Sequence, residues 1–296
     1  MRTLVLSDVH GNNVALQAVL DHAYRYHTPD EVWFLGDLVG YGPDPLAVWQ
    51  ALHSEPIPAG CWLAGNHDWG LVNKLHGPTT FFTNGNEQSG AFEISNFRQV
   101  AWAILQWQQK VLVDYHALYE QLTALPVVSC PRPGVYLAHG AFADEARASV
   151  TRYVPYPTLS PAGMVTNIAN LATTQPECVF LRANGNNSQP RLFIFGHTHR
   201  PGIWHWQPEH EQWQTCPLTK RYTITNDFLP YCVNPGSVGF PRDGIGCPSY
   251  LVIDWQEKHL QLFRVPYDVA SVRRRMAQHP YEMLLGENGF LIEPGC

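Results

Sequence analysis

Charge is scarce in this chain of 296 residues: Asp, Glu, Lys and Arg together make up 15 %, against roughly 25 % in an average soluble domain. Disorder requires few apolar groups, and a hydrophobic content of 45 % excludes it. No apolar run approaches the ~18 residues of a membrane helix, and no basic stretch followed by an apolar one opens the sequence. Neither a membrane span nor an export signal is expected. Basic residues are the minority, 19 against 25 acidic, for a net charge of −6. A broad cationic face for duplex DNA is therefore missing, which disfavours a long nucleic acid as partner. A small phosphorylated substrate, met by a few local charges, stays compatible. The seven cysteines include no C-x-x-C pair. That argues against a disulfide framework or zinc knuckle and for free thiols in a cytoplasmic protein.

Histidine, by contrast, is abundant, with 14 in the chain. It is the commonest metal ligand and the side chain that titrates near neutrality. Its value depends on where it falls along the pattern. Arg2 to Ser7, Val32 to Leu35 and Cys61 to Ala64 read as three strands. Between them lie two amphipathic helices, one capped by Asn12 or Asn13 with Leu16, Val19, Leu20 and Ala23 on one face, the other over Pro45 to Leu52. This alternation implies a parallel sheet with right-handed crossovers. From Trp69 to Leu125 strand signals vanish, and residues 69–125 read as a helical insertion within one domain spanning 1–296. Strands resume at Val127, at Val135 to Ala138, and then as short runs at 178–181, 192–195, 203–206, 231–233, 250–253 and 260–265. Short runs that close together suggest antiparallel pairs. A last helix is expected from Asp268 to Gln278.

Each strand end delivers polar groups. Asp8 and His10 follow the first strand, where residues two apart on an extended segment point the same way. Asp37 follows the second, and Asn66-His67-Asp68 the third. His139 and then His197 and His199 follow later strands. Ligands of open α/β sheets bind outside the carboxyl ends of the strands. Five segments thus converge with oxygen and imidazole donors and no thiolate, a set suited to manganese, iron, zinc, nickel or cobalt. Seven donors are too many for one tetrahedral zinc and fit two ions sharing a carboxylate.

In that order, D-x-H, G-D-x-x-x-x-G, G-N-H-D, H-G and G-H-T-H resemble the calcineurin-like metallophosphoesterase superfamily. The longer strings S-D-V-H-G-N, G-D-L-V-G-Y-G-P-D-P, G-H-T-H-R-P and N-P-G-S-V-G-F-P-R-D-G are similar to its bacterial small phosphodiesterase branch. The likeness runs from Met1 to about Asp268 and is weakest over 69–125 and 143–190. The resemblance implies an α/β fold, a four-layer αββα sandwich of two mixed sheets flanked by helices. It implies one metal held by Asp8, His10, Asp37 and His199, and a second held by Asp37, Asn66, His139 and His197. The ions, manganese first among the candidates, would lie about 3.5–4 Å apart and activate water for attack on phosphorus. His67 resembles the histidine that binds the phosphate and protonates the leaving oxygen, with Asp37 or Asp68 orienting its ring.

The implied activity is hydrolysis of a phosphodiester or nucleotide-type pyrophosphate. A phosphomonoester or phosphoprotein on the same site is the alternative, and a non-catalytic interaction scaffold of the same fold is the rival from another class. Arg242 has two readings, a planar fork for a phosphate or a surface pair with Asp243, and Arg200 is weighed the same way. Tyr41, Trp69 and Phe240 stand beside the ligand blocks, to stack on a nucleobase or to pack. Asn234 to Ser237 reads as a tight turn. The remaining nine histidines default to solvated surface.

Overall fold

The computed structural model describes residues 1–54, 60–73, 81–83, 86–88, 99–126, 128–140, 192–207, 212–219, 221–224 and 231–278. Expectations for a strand at 178–181, a polar loop at 184–190 and the segment after 280 lie outside the described residues.

The chain starts with β1 (Arg2–Leu6), α1 (Asn13–Tyr26), β2 (Glu31–Phe34) and α2 (Pro45–His53). Asn12 caps α1 by accepting from the Ala15 N–H at 3.1 Å, and Ala15, Leu16, Val19, Leu20 and Ala23 form its buried face. β1 and β2 are parallel, as the alternation of strand and helix requires. The third expected strand does not form. Over Cys61 to Leu63 the pairing is a single parallel bridge to Phe34, through Phe34 N–H to Cys61 O and Leu63 N–H to Phe34 O. Ala64 then bonds Pro126, and the chain enters α3 (Asn66–Asn73).

A short hairpin follows, β3 (Phe81–Thr83) with β4 (Asn86–Gln88), inside the segment read as strandless. Its strands flank Asn84-Gly85, the strongest two-residue hairpin signal, which three-residue strands are too short to advertise by periodicity. Next come α4 (Gln99–Val111), α5 (His116–Ala124), β5 (Val128–Arg132), β6 (Val135–Ala138), β7 (Leu192–Phe195), β8 (Gly202–Gln207) and β9 (Gln212–Cys216). β10 (Tyr222–Thr223), β11 (Tyr231–Asn234), β12 (Ser249–Asp254), β13 (His259–Arg264) and α6 (Val269–Met276) complete the series, with Asp268 capping α6.

Two mixed sheets result, ordered β10-β13-β12-β1-β2 and β5-β6-β7-β11-β8-β9. β6, β7 and β11 run parallel to one another, where antiparallel pairs were expected. The reason is the long connection from Ala138 to Leu192, which allows a crossover that short runs alone do not reveal.

Period-2 alternation divides the core. Leu4 and Leu6 of β1, with Tyr250 and Val252 of β12, join the helices α1–α6 in one cluster. Val5, Leu251 and Ile253 point the other way, onto Val135, Leu137, Leu192, Ile194, Ile203 and Val233 of the second sheet. Each such residue contributes about 1.5–3 kcal/mol when fully buried, so a one-residue slip would expose a whole face.

Cys61, Cys130, Cys216 and Cys232 are free. Cys247 is disulfide-bonded. That corrects the expectation of free thiols at this position, since chain separation in sequence does not limit approach in space. His22 and His27, expected as solvated surface, are partly buried. His22 lies 2.6 Å from the Tyr250 hydroxyl, and the His27 ring packs on Phe263. Among the described residues no helix is long and apolar enough to cross a membrane.

Candidate metal centre and active site

The loops after β1 and β2 continue to pair where the sheet has ended. Asp8 N–H reaches Gly36 O, His10 N–H reaches Asp37 O and Gly11 N–H reaches Leu38 O, at 2.8–3.0 Å. Asp8 and His10 are brought together by this ladder and not by an extended backbone, for both are left-handed (φ 54° and 49°). Asp37, His197 and His199 share that conformation (59°, 66° and 58°). Non-glycine residues pay about 1–3 kcal/mol each for it, and such strain concentrates at functional sites.

Seven side chains meet here. His199 Nε2 is 3.0 Å from His10 Nε2 and 3.3 Å from Asp8 Oδ1. Asp37 Oδ2 is 3.5 Å from His10 Nε2 and 3.4 Å from His139 Nε2. Asn66 Oδ1 is 3.1 Å from His139 Nε2 and 2.9 Å from His197 Nδ1. Two donor groups result, Asp8, His10, Asp37 and His199 in one, Asp37, His139 and His197 in the other, each with its ligand atoms within 4.8 Å of one another. Asp37 belongs to both.

The donors fit cations. Nδ1 of His10, His139 and His199 lies 2.7–3.0 Å from the carbonyls of Val39, Leu35 and Phe240. A carbonyl can only accept, so each Nδ1 carries a proton; the Nε2 of His10 and His199 turns a lone pair inward, and that of His139 can do so once a cation replaces its second proton. Two such lone pairs 3.0 Å apart repel unless a cation sits between them. Asp8 Oδ1 and Asp37 Oδ2 are buried and receive no hydrogen bond from the described residues, a costly state for an anion without a counter-ion. Their other oxygens are occupied: Asp8 Oδ2 accepts from Ser7 Oγ and His197 N–H, and Asp37 Oδ1 from His67 N–H.

The electrostatics agree. Burial pushes the Asp8 carboxyl up to about 7, with Asp37 adding to the rise against His139. Burial would raise Asp37 too, but His139 and His67 hold it well below the usual carboxylate range. His139 is drawn up to about 9 by Asp37 despite its burial. Burial lowers His197 to about 3 and His67 to about 4, Arg242 contributing to both, and carries His10 and His199 well below the ordinary value.

His67 stands beside the donors, its ring centroid 4.7 Å from those of His10 and Tyr41. Gly40, at φ 95°, lies so close to it that any Cβ would collide with the ring. Asp68 is one of the two carboxylates expected to orient the His67 ring. Its carboxylate accepts from the backbone N–H groups of Asp37, Leu38, Val39 and Gly65 at 2.8–3.2 Å, fixing the Asp37 loop against the α3 entry. Replacing Asp68 by Ala strands four buried donors. We expect a loss of about 3 kcal/mol, read by denaturant unfolding; a change under 1 kcal/mol would deny Asp68 this role.

Arg242 is not paired with Asp243, which binds Arg264. Its guanidinium lies over the rings of Phe240 and Tyr41, 4.7 and 5.6 Å from their centroids, and donates to the Tyr41 hydroxyl at 3.2 Å. The Tyr41 ring is taken up by packing among His10, His67 and Phe240. Arg200 follows His199 half-buried, with Nε unbonded among the described residues.

The sequence reading missed three supports. Asn234 Nδ2 donates to Gly196 O and Thr198 Oγ1, fixing the turn that bears His197 and His199. Ser237 Oγ donates to Asp8 O and accepts from Phe240 N–H. Gln108, from α4, grips the Gly40–Gly42 turn. The first two sit in N-P-G-S, a string whose polar residues carried the signal; nothing in sequence marks Gln108.

The chain matches the family described as calcineurin-like phosphoesterase over residues 1–201, a stretch that includes all seven donors. It is 24 % identical over 290 residues to the uncharacterized protein MJ0912 of Methanocaldococcus jannaschii, covering 97 % of this chain and 96 % of that one. A shorter likeness, 39 % over 77 residues, is to the symmetrical bis(5'-nucleosyl)-tetraphosphatase of Legionella pneumophila; it covers 26 % of this chain and 28 % of that enzyme. Among solved structures, a metallophosphoesterase from Sphaerobacter thermophilus shares the fold with a TM-score of 0.59, at 24 % identity over 94 % of each chain. The hypothetical protein PH1004 from Pyrococcus horikoshii OT3 does so with 0.61, at 14 % identity over 96 % of each. With two mixed sheets, a cation-demanding cluster at their strand ends and this family match, the chain belongs to the calcineurin-like phosphoesterases, hydrolases built on a divalent metal centre.

Proposed function

We propose that the protein hydrolyses phosphodiesters or nucleotide-type pyrophosphates with two divalent cations, manganese foremost. The observation that carries this reading is the one buried oxygen, Asp37 Oδ2, shared by two donor groups. Asp8, His10, Asp37 and His199 would hold the first cation; Asp37, Asn66, His139 and His197 would hold the second. When bound, the pair supplies Lewis acidity toward phosphoryl oxygens and a water nucleophile of lowered pKa.

The chain's own groups do the rest. Arg242, pre-set on its aromatic shelf, offers planar N–H donors to phosphate oxygens, and Arg200 adds a second cationic group. His67 gives a proton to the departing oxygen. Burial lowers its pKa, with Arg242 and His139 adding to the fall against Asp37; an arriving phosphate adds negative charge and favours the protonated ring. The partial likeness to a bis(5'-nucleosyl)-tetraphosphatase supports a dinucleoside polyphosphate as the first pyrophosphate to test.

Full-length protein loaded with Mn(II) should turn over bis-p-nitrophenyl phosphate and lose that activity on chelation. Activity confined to p-nitrophenyl phosphate would replace the diesterase reading with a monoesterase one. A metal-loaded protein inert on both and on a nucleotide panel would leave the scaffold reading in its place.

A further inference from the structure

The turn at Gly40–Gly42 is held from outside. Gly42 N–H reaches Gly40 O at 2.6 Å and His10 O at 2.7 Å, closing a three-residue turn with Tyr41 at its centre in a left-handed conformation, φ 38°. A tyrosine keeps such a conformation only where its surroundings over-determine it. Ring contacts with His10, His67 and Phe240 surround the side chain, and one further side chain grips the backbone on both sides. Gln108 of α4, fully buried, accepts from Gly40 N–H at 2.8 Å through Oε1 and donates to Gly42 O at 3.4 Å through Nε2. Both flanks of the strained residue are clamped by a single amide.

What the turn presents matters for chemistry. The Tyr41 ring packs against His67 and its hydroxyl holds Arg242, while Gly40 leaves no room for the His67 ring to shift toward it. We propose that Gln108 is a positioning residue: through the Tyr41 turn it sets where His67 and Arg242 stand relative to the phosphate. On this view α4 is a fixed wall of the site at this point and not part of a moving lid. The neighbouring Gln109 supplies an internal contrast. It is also buried, but its amide donates to Gly70 O and Leu71 O at 3.3 and 3.0 Å, joining α4 to α3 away from the turn.

The kinetic consequence rests on the phosphoesterase reading; the structural one does not. In the Mn(II)-loaded full chain, Gln108→Met should lower kcat on bis-p-nitrophenyl phosphate about tenfold with bound metal unchanged, since small misplacements of reacting groups are costly. Amide hydrogen exchange in the peptide spanning 36–44 should accelerate by about tenfold or more as the turn loosens. Gln109→Met should lower Tm and move neither. Unchanged exchange at 36–44 in Gln108→Met, or equal effects in both variants, overturns the proposal. If wild-type protein is inert on phosphate esters, the proposed function fails and the exchange comparison alone decides on Gln108. Should Gln108→Met not fold, Gln108→Asn, too short to span the turn, is judged on the same exchange and metal readouts.

Discussion

Asp37→Asn should remove at least one of the two proposed cations and with it nearly all activity. The substitution keeps size and shape and an oxygen able to accept from His67 N–H, now at 2.7 Å, so the loop survives. What it loses is the negative charge at Oδ2, the atom 3.4–3.5 Å from imidazoles of both donor groups. An amide oxygen cannot neutralise two cations whose remaining donors are mostly neutral imidazoles. Metal analysis of the purified variant should fall from about two ions per chain to one or fewer, and kcat/KM by at least about a thousandfold, equivalent to about 4 kcal/mol. A variant holding two ions with activity within tenfold of wild type would remove Asp37 from the shared position. Asp37→Ala is the less informative choice, because it also frees the His67 backbone.

His67→Ala should leave the metals in place and slow turnover by about 10²–10⁴-fold, the usual contribution of a positioned general acid. His67 lies outside both donor groups, so its removal does not subtract a ligand. The loss should depend on the leaving group. A nitrophenolate departs readily as an anion and needs little protonation, whereas a nucleoside alkoxide needs a great deal. The deficit should therefore be larger on a nucleotide diester than on bis-p-nitrophenyl phosphate. Equal deficits on the two substrates would deny His67 the proton and leave it a phosphate-binding role. Loss of metal in the variant would make it a support of the cation site instead.

Much of this site could be read in the chain before its structure was known, because the informative quantity is local. A ligand set placed after strands is a statement about short segments: Asp8 and His10 after β1, Asp37 after β2, His139 after β6, His197 and His199 after β7. Each segment's position follows from apolar periodicity, and the sheet gathers their ends. What did not follow was the local backbone. An extended Asp8–His10 was the natural expectation, yet both are left-handed, since pairing of the two loops, a long-range contact, overrides local preference. Asp68 read only as one of two candidates to orient the His67 ring, yet it also gathers four backbone amides, three of them some 30 residues earlier.

Arg242 shows the same limit. Beside Asp243 in sequence, it does not pair with it, because Arg264 of β13 takes that carboxylate. Composition and strand order by themselves pointed to an α/β chain poor in charge, with aspartates and histidines at strand ends; the two-sheet form was what the family resemblance running through those residues implied. Only the tertiary structure decided that one Asp37 oxygen faces two donor groups, that Tyr41 is strained and packed with its hydroxyl on Arg242, and that a glutamine from the least family-like segment holds it so. Periodicity reports which face of an element is apolar. It carries no record of which distant polar groups will meet once those faces are buried.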